Sequence, residues 1–141
     1  MIEKFGVVQL ERKGKGKYSV DILNEGTCSK VINFHRSFPM YERTPLRDMK
    51  HLAEQLGLGG VYVKDESYRF NLNAFKVLGG SYAIGNFLAN KLNSDIKDMP
   101  YERLVSDEVK KELGELVFVT ATDGNHGRGV AWTANQLQQK S

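Results

Sequence analysis

The chain is poor in cysteine, tryptophan and proline, with one, one and three of them among 141 residues. A single cysteine, Cys28, cannot form an internal disulfide, which suits a reducing compartment. It has no adjacent histidine to activate it as a nucleophile. Excess charge of one sign is also missing. A formal net charge of +3 is too weak to imply a nucleic-acid partner, and the one basic run, Lys13-Gly14-Lys15-Gly16-Lys17, reads as a solvated loop tip. No apolar run approaches the ~20 residues of a membrane span. The mixed first residues do not follow a signal-peptide pattern. The expectations are a cytoplasmic protein with no membrane partner and no metal site. Repeats and low-complexity tracts are absent as well.

What is present is the composition of a globular domain, 40% hydrophobic and 26% charged. Residues 1–40 read as an irregular N-terminal extension. Phe5 to Leu10 and Tyr18 to Leu23 alternate well enough for a candidate hairpin around the Lys/Gly tip. From residue 41 the signals sharpen. Thr44-Pro45 reads as an N-cap with proline at the first helical position. Leu46, Met49, Leu52, Ala53 and Leu56 keep helical spacing, and Gly57 closes the helix. Val61 to Lys64 predicts a short strand. A largely apolar helix is expected from Ala74 to Leu92 with Asn73 as its cap, and a polar helix from Tyr101 to Leu113 with Gly114 as its stop. Leu116 to Thr120 reads as a strand covered on both faces, and a last helix as running from Gly127 to Gln138. That order predicts an α/β fold, a parallel sheet with flanking helices.

Two loops carry chemistry, each where a strand gives way to a helix, the place where open α/β sheets gather ligands. The first ends in Lys76. A lysine is mildly disfavoured in a helix first turn, where the dipole repels an ammonium. A sequence that keeps one there is a candidate for a nucleophilic amine, as a Schiff-base lysine requires. The dipole cannot supply that reactivity alone. It is worth ~0.3–1 kcal/mol, less than the ~1.36 kcal/mol that moves a titration by one unit. Desolvation or a covalent aldehyde partner has to do the rest. Gly79, Gly80 and Gly85, inside an otherwise apolar helix, each cost ~1 kcal/mol relative to alanine. They imply close approach of another backbone or of a flat ligand. The second loop runs from Thr120 to Gly129. Gly124, Gly127 and Gly129 expose backbone N–H groups, and Thr122, Asn125 and His126 add polar side chains suited to a carboxylate. Asp123 repels an anion, and so suits a substrate that also carries an ammonium, or a step needing a base.

The two loops together resemble the pyridoxal-phosphate enzymes of the tryptophan-synthase-β type (fold type II). Phe34-His35-Arg36-Ser37-Phe38-Pro39, Arg43-Thr44-Pro45-Leu46, Lys64-Asp65-Glu66-Ser67-Tyr68-Arg69-Phe70, Leu72 to Tyr82 and Thr122 to Trp132 are similar to the diaminopropionate ammonia-lyases within that group. The resemblance implies that Lys76 holds pyridoxal 5'-phosphate as a Schiff base, with Phe75 and Asn125 as further cofactor contacts. It implies that Thr122, Gly124 and His126 bind the substrate carboxylate. Lys76 and Asp123 are then the bases for opposite enantiomers of 2,3-diaminopropionate, which is eliminated to pyruvate and ammonia. Ala74 departs from the serine usual two residues before the lysine, and Asp123 from the usual serine-rich loop. Both point away from a serine/threonine dehydratase, which stays as an alternative reading. Asn71 stands where that branch has glycine. Members run to about three times this length, so residues 41–141 are expected to be the N-terminal part of the catalytic fold. The glycine-rich phosphate loop is not recognisable here. The 141-residue chain is therefore expected to bind cofactor weakly and turn over little by itself. A non-catalytic split-gene fragment needing a partner chain is the other alternative. Homo-oligomerisation is expected, with an unpaired strand edge favouring self-association.

Overall fold

A computed structural model of the chain describes residues 20–122 and 124–141. The candidate strand Phe5 to Leu10, the Lys/Gly tip and Asp123 lie outside the described residues. Within them, the stretch read as irregular holds a helix, α1 (Glu25–Arg36). Asn24 caps it by accepting from the Thr27 N–H at 2.9 Å, and Glu25 and Arg36 sit at the ends that suit their charges. Residues 20–23 form a turn, not a strand, closed by Leu23 N–H to the Val20 carbonyl at 2.8 Å. The helix was hidden because its buried face is short: Phe34 and His35 are its only buried residues.

Thr44-Pro45 does not start a helix. Residues Leu46–Asp48 form β1, paired antiparallel with β2 (Tyr62–Lys64) in the register Leu46 to Lys64. The Thr44 hydroxyl, read as a cap, is buried against a side-chain ion pair instead. The helix begins later, as α2 (Lys50–Leu56), and Gly57 ends it at φ 63°, as the sequence predicts. The segment before Lys76 is a kinked 3₁₀ turn over Glu66–Asn71. Phe70, Asn71 and Asn73 there take φ of 48°, 58° and 56°. Asn73 therefore cannot cap, since a cap needs extended backbone. The main helix, α3, spans Lys76–Lys91 and starts at Lys76 itself.

The polar helix is broken in two. Pro100 precedes α4 (Tyr101–Leu104), and Ser106 caps α5 (Asp107–Leu113) by accepting from the Val109 N–H at 3.3 Å. That internal capping signal, followed by Asp107 and Glu108, starts a new helix. The last helix, α6, spans Asn125–Gln136, two residues earlier at each end than expected. Residues 116–120 are extended but not covered on both faces. Val119 is 88% exposed, and the only parallel pairing among the described residues is the bridge of Val117 with Lys140. A strand covered on both faces needs neighbouring strands that the described residues do not provide.

The core lies where α3 and α6 pack, with α1 on α3. Phe34, Phe38, Phe70, Val77, Leu88, Met99 and Leu137 fill it. Trp132 of α6 stacks on Phe70 at 4.8 Å between centroids and on Phe38 at 5.9 Å. No helix among the described residues is long and apolar enough to cross a membrane.

Candidate active site

The site starts from one glycine. Gly129 lies one turn into α6, and its Cα packs on the backbone of Val77, the residue after Lys76. A Cβ at Gly129 would come within 2.9 Å of Val77 Cα and 3.2 Å of its amide nitrogen. Only a glycine permits that approach. It sets the first turn of α6 against the first turn of α3, so the two chemical loops, 46 residues apart from Lys76 to Thr122, share one end of a helix pair. Gly80 extends the contact, its Cβ position being 3.7 Å from Val130.

The glycines of α3 differ in what surrounds them. Gly85 is a packing glycine, since a Cβ there would meet the Phe34 ring at 2.4 Å. Gly79 has nothing within 4 Å of its Cβ position. It lines a cleft of ≈ 350 Å³ with His35, Tyr41, Arg69, Leu78 and Tyr82.

Lys76 is exposed at the start of α3, and Phe75 beside it is 62% exposed. Thr122 folds the second loop onto itself. Its Oγ1 accepts from the Gly124 N–H at 3.4 Å and the Gly127 N–H at 3.3 Å. Its methyl fills the space a Cβ of Gly127 would need, 2.3 Å away. Two N–H groups expected to face a carboxylate are thus held by Thr122 in this conformation. The α6 N-terminus has no side-chain cap. Asn125 accepts from Arg128 at 3.4 Å through Oδ1, which leaves its Nδ2 as the donor it can offer. His126 is exposed.

Sequence reasoning missed the polar framework that precedes Lys76 in the chain. Arg69 is buried, 6% exposed, and grips Glu66 through two bonds, Nε to Oε2 at 2.8 Å and one terminal nitrogen to Oε1 at 3.0 Å. The same guanidinium donates to the Glu42 carbonyl at 3.0 Å and to Thr44 Oγ1 at 3.1 Å. Thr44 donates in turn to Glu66 at 2.5 Å, and Lys64 donates to the Thr44 carbonyl. Arg69 holds the Glu66 carboxyl below its ordinary value. This network fixes the segment that delivers the chain to Lys76. The signal available for it was the clustering of opposite charges in Lys64-Asp65-Glu66 and Arg69.

A family model of the pyridoxal-phosphate dependent enzymes matches residues 38–141. The chain belongs to that family. It is 51% identical over 123 residues to a diaminopropionate ammonia-lyase of Salmonella typhimurium, a match covering 87% of this chain and 30% of the relative. Its structure is similar to that of diaminopropionate ammonia lyase from Escherichia coli in complex with D-serine, at TM-score 0.77 and 41% identity, over 86% of this chain and 30% of that one. The complex of the same enzyme with an aminoacrylate-PLP azomethine reaction intermediate matches at TM-score 0.72 and 39% identity, over 88% and 30% of the two chains. The chain thus spans about a third of the length of the curated relatives it matches.

Do the residues present fit the family's cofactor? They fit its reactive end. An exposed amine at a helix start, an exposed aromatic beside it and an amide donor at a second helix N-terminus suit a flat, anionic aldehyde. A glycine-rich cradle for its phosphate is not recognisable in the 141 residues.

Proposed function

We propose that this chain supplies the amine-bearing part of a pyridoxal-phosphate dependent ammonia-lyase that eliminates the β-amino group of 2,3-diaminopropionate, yielding pyruvate and ammonia. The observation that carries the reading is the Gly129 contact on Val77, which packs the first turn of α6 against the first turn of α3, the turn that Lys76 begins. Pyridoxal phosphate, when bound, supplies an electron sink for the pair left on Cα after proton loss. The chain's own residues do the rest. Lys76 would hold the cofactor and, as a free amine, would take the Cα proton from one face. Asp123 takes it from the opposite face for the other enantiomer. Phe75 and Asn125 would help hold the cofactor, Asn125 through its Nδ2–H donor. The substrate carboxylate takes the N–H groups around Gly124 and His126 in place of Thr122 Oγ1, and the Thr122 hydroxyl then donates to it.

The bridge between Val117 and Lys140 supports a parallel sheet as the wider architecture. The exposed run through Val117 and Val119, next to exposed Phe87, supports association with further copies of the chain. Weak cofactor retention and slow turnover are proposed for the 141-residue chain alone.

The test is 2-oxo acid release with the wild type and Asp123→Asn: pyruvate from each enantiomer of diaminopropionate and from serine, and 2-oxobutyrate from threonine. Diaminopropionate should be preferred, and Asp123→Asn should cost one enantiomer more than the other. Equal losses would reject the two-base assignment, and faster turnover of serine or threonine would reject the substrate.

A further inference from the structure

Lys76 is aimed by the helix it starts, so what fixes the first turn of α3 fixes the amine. Gly129 of α6 holds that turn from one side, at Val77. α1 approaches as well, and two neighbouring residues dock it. The Phe34 ring fills the notch left by Gly85. His35 reaches the first turn itself, its Nε2 lying 3.1 Å from the Leu78 carbonyl and 2.9 Å from Ser81 Oγ. A carbonyl can only accept, and a serine whose proton goes to that carbonyl can only accept from the ring, so Nε2 carries the proton and shares it between the Leu78 carbonyl and Ser81 Oγ. The Ser81 hydroxyl donates to the same carbonyl at 3.1 Å. His35 is 3% exposed and Ser81 fully buried. The bond between Nε2 and Ser81 Oγ is buried, and the Leu78 carbonyl lies partly buried beside it, so losing the donor strands polar groups that have little water to replace it. The charged and titratable groups around it are Arg69, Tyr41 and Tyr82, on the cleft wall it shares.

We infer that His35 is a positioning residue for Lys76: by pinning the Leu78 carbonyl from α1 it holds the first turn of α3 in the setting that lets the Lys76 amine meet a cofactor aldehyde. This rests on Lys76 as the attachment point. Neither group bonds the other, and the effect passes through the helix backbone.

The experiment compares the wild type, His35→Leu, which keeps bulk and loses the donor, and His35→Gln, whose amide restores an N–H near the Nε2 position. Each chain is incubated with pyridoxal phosphate, reduced with borohydride and mapped by peptide, and the adduct at Lys76 is expressed relative to that at Lys91, at the far end of the same helix. The ratio should fall about two- to tenfold in His35→Leu, the span of one net hydrogen bond, and return in His35→Gln. Ser81→Ala, which keeps the Leu78 bond, should stay near the wild type. An unchanged ratio in His35→Leu, a parallel fall at Lys91, or no rescue by glutamine overturns the inference. If His35→Leu does not fold, His35→Asn, too short to reach Leu78, takes its place and must behave as predicted for leucine. Amide hydrogen exchange gives a readout free of cofactor. Protection in the first turn of α3 should drop in His35→Leu, recover in His35→Gln and stay constant near Lys91. A wild type without a Lys76 adduct would defeat the attachment reading, and the exchange pattern would still decide the pin.

Discussion

Gly129→Ala is the most informative single perturbation of this fold. The added Cβ meets backbone, not a side chain that can turn away. It lies 2.9 Å from Val77 Cα, about half an ångström inside the nearest ordinary contact. Val77 is buried in the α3–α6 contact, so relief requires α6 to move off α3. Overpacking of this kind costs ~1–3 kcal/mol. Alanine is also a better helix former than glycine by ~1 kcal/mol, so the net loss is ~0–2 kcal/mol. Gly79→Ala is the control. It makes the same change in α3 where nothing lies within 4 Å, and should gain ~1 kcal/mol from propensity alone. The difference between the two variants isolates the contact at ~1–3 kcal/mol, a separation of a few degrees to about 10 °C in melting temperature. Urea denaturation followed by Trp132 fluorescence reads it, because the chain's one tryptophan is in α6 and stacks on Phe70. Equal stabilisation by Gly129→Ala and Gly79→Ala would refute the close contact, and with it the argument that brings the two loops together.

Three further outcomes follow from the same framework. Burial pushes the His35 imidazole below its ordinary value. Its contribution to stability is therefore whole above the unfolded value of ~6.5 and is lost as the pH falls below it, because the unfolded chain takes up the proton first. Denaturation midpoints measured from pH 8 to 5 should fall less in His35→Gln than in the wild type. Glu66→Gln leaves the buried Arg69 guanidinium without its counter-charge and should cost about 3 kcal/mol by urea denaturation; a loss below 1 kcal/mol would show the pair to be dispensable. Asn71 already takes φ 58°, so Asn71→Gly should fold with unchanged stability to within ~0.5 kcal/mol, while Asn71→Val should lose ~1–2 kcal/mol from the β-branched side chain at positive φ.

The sequence made the family more legible than the framework, and the reasons are local. Gly57 and Gly114 were readable as helix stops because their positions require a left-handed backbone, φ 63° and 65°. Lys76 stood out because a cation is out of place at a helix start, and α3 does begin at Lys76. Thr44-Pro45 misled because a capping residue and an N1 proline also suit a strand entry when the hydroxyl has a better partner in Glu66. Asn73 misled for the related reason that asparagine serves both caps and left-handed turns, and here it makes the turn. Leu116 to Thr120 has a buried strand's composition, but burial depends on neighbours that a local pattern cannot contain. The role of His35 had no local signature, since its partners lie 43 and 46 residues away. The spacing of Ser81 and Gly85 on one helical face was the available hint that another helix packs there.

The central claim is that Lys76 is the cofactor's attachment point. The direct measurement is the absorbance spectrum of the purified chain with pyridoxal phosphate, before and after borohydride, followed by peptide mapping of the reduced product. The account predicts a borohydride-sensitive band and label concentrated on Lys76, both lost in Lys76→Ala. Label spread over the surface lysines and unchanged in Lys76→Ala would contradict it.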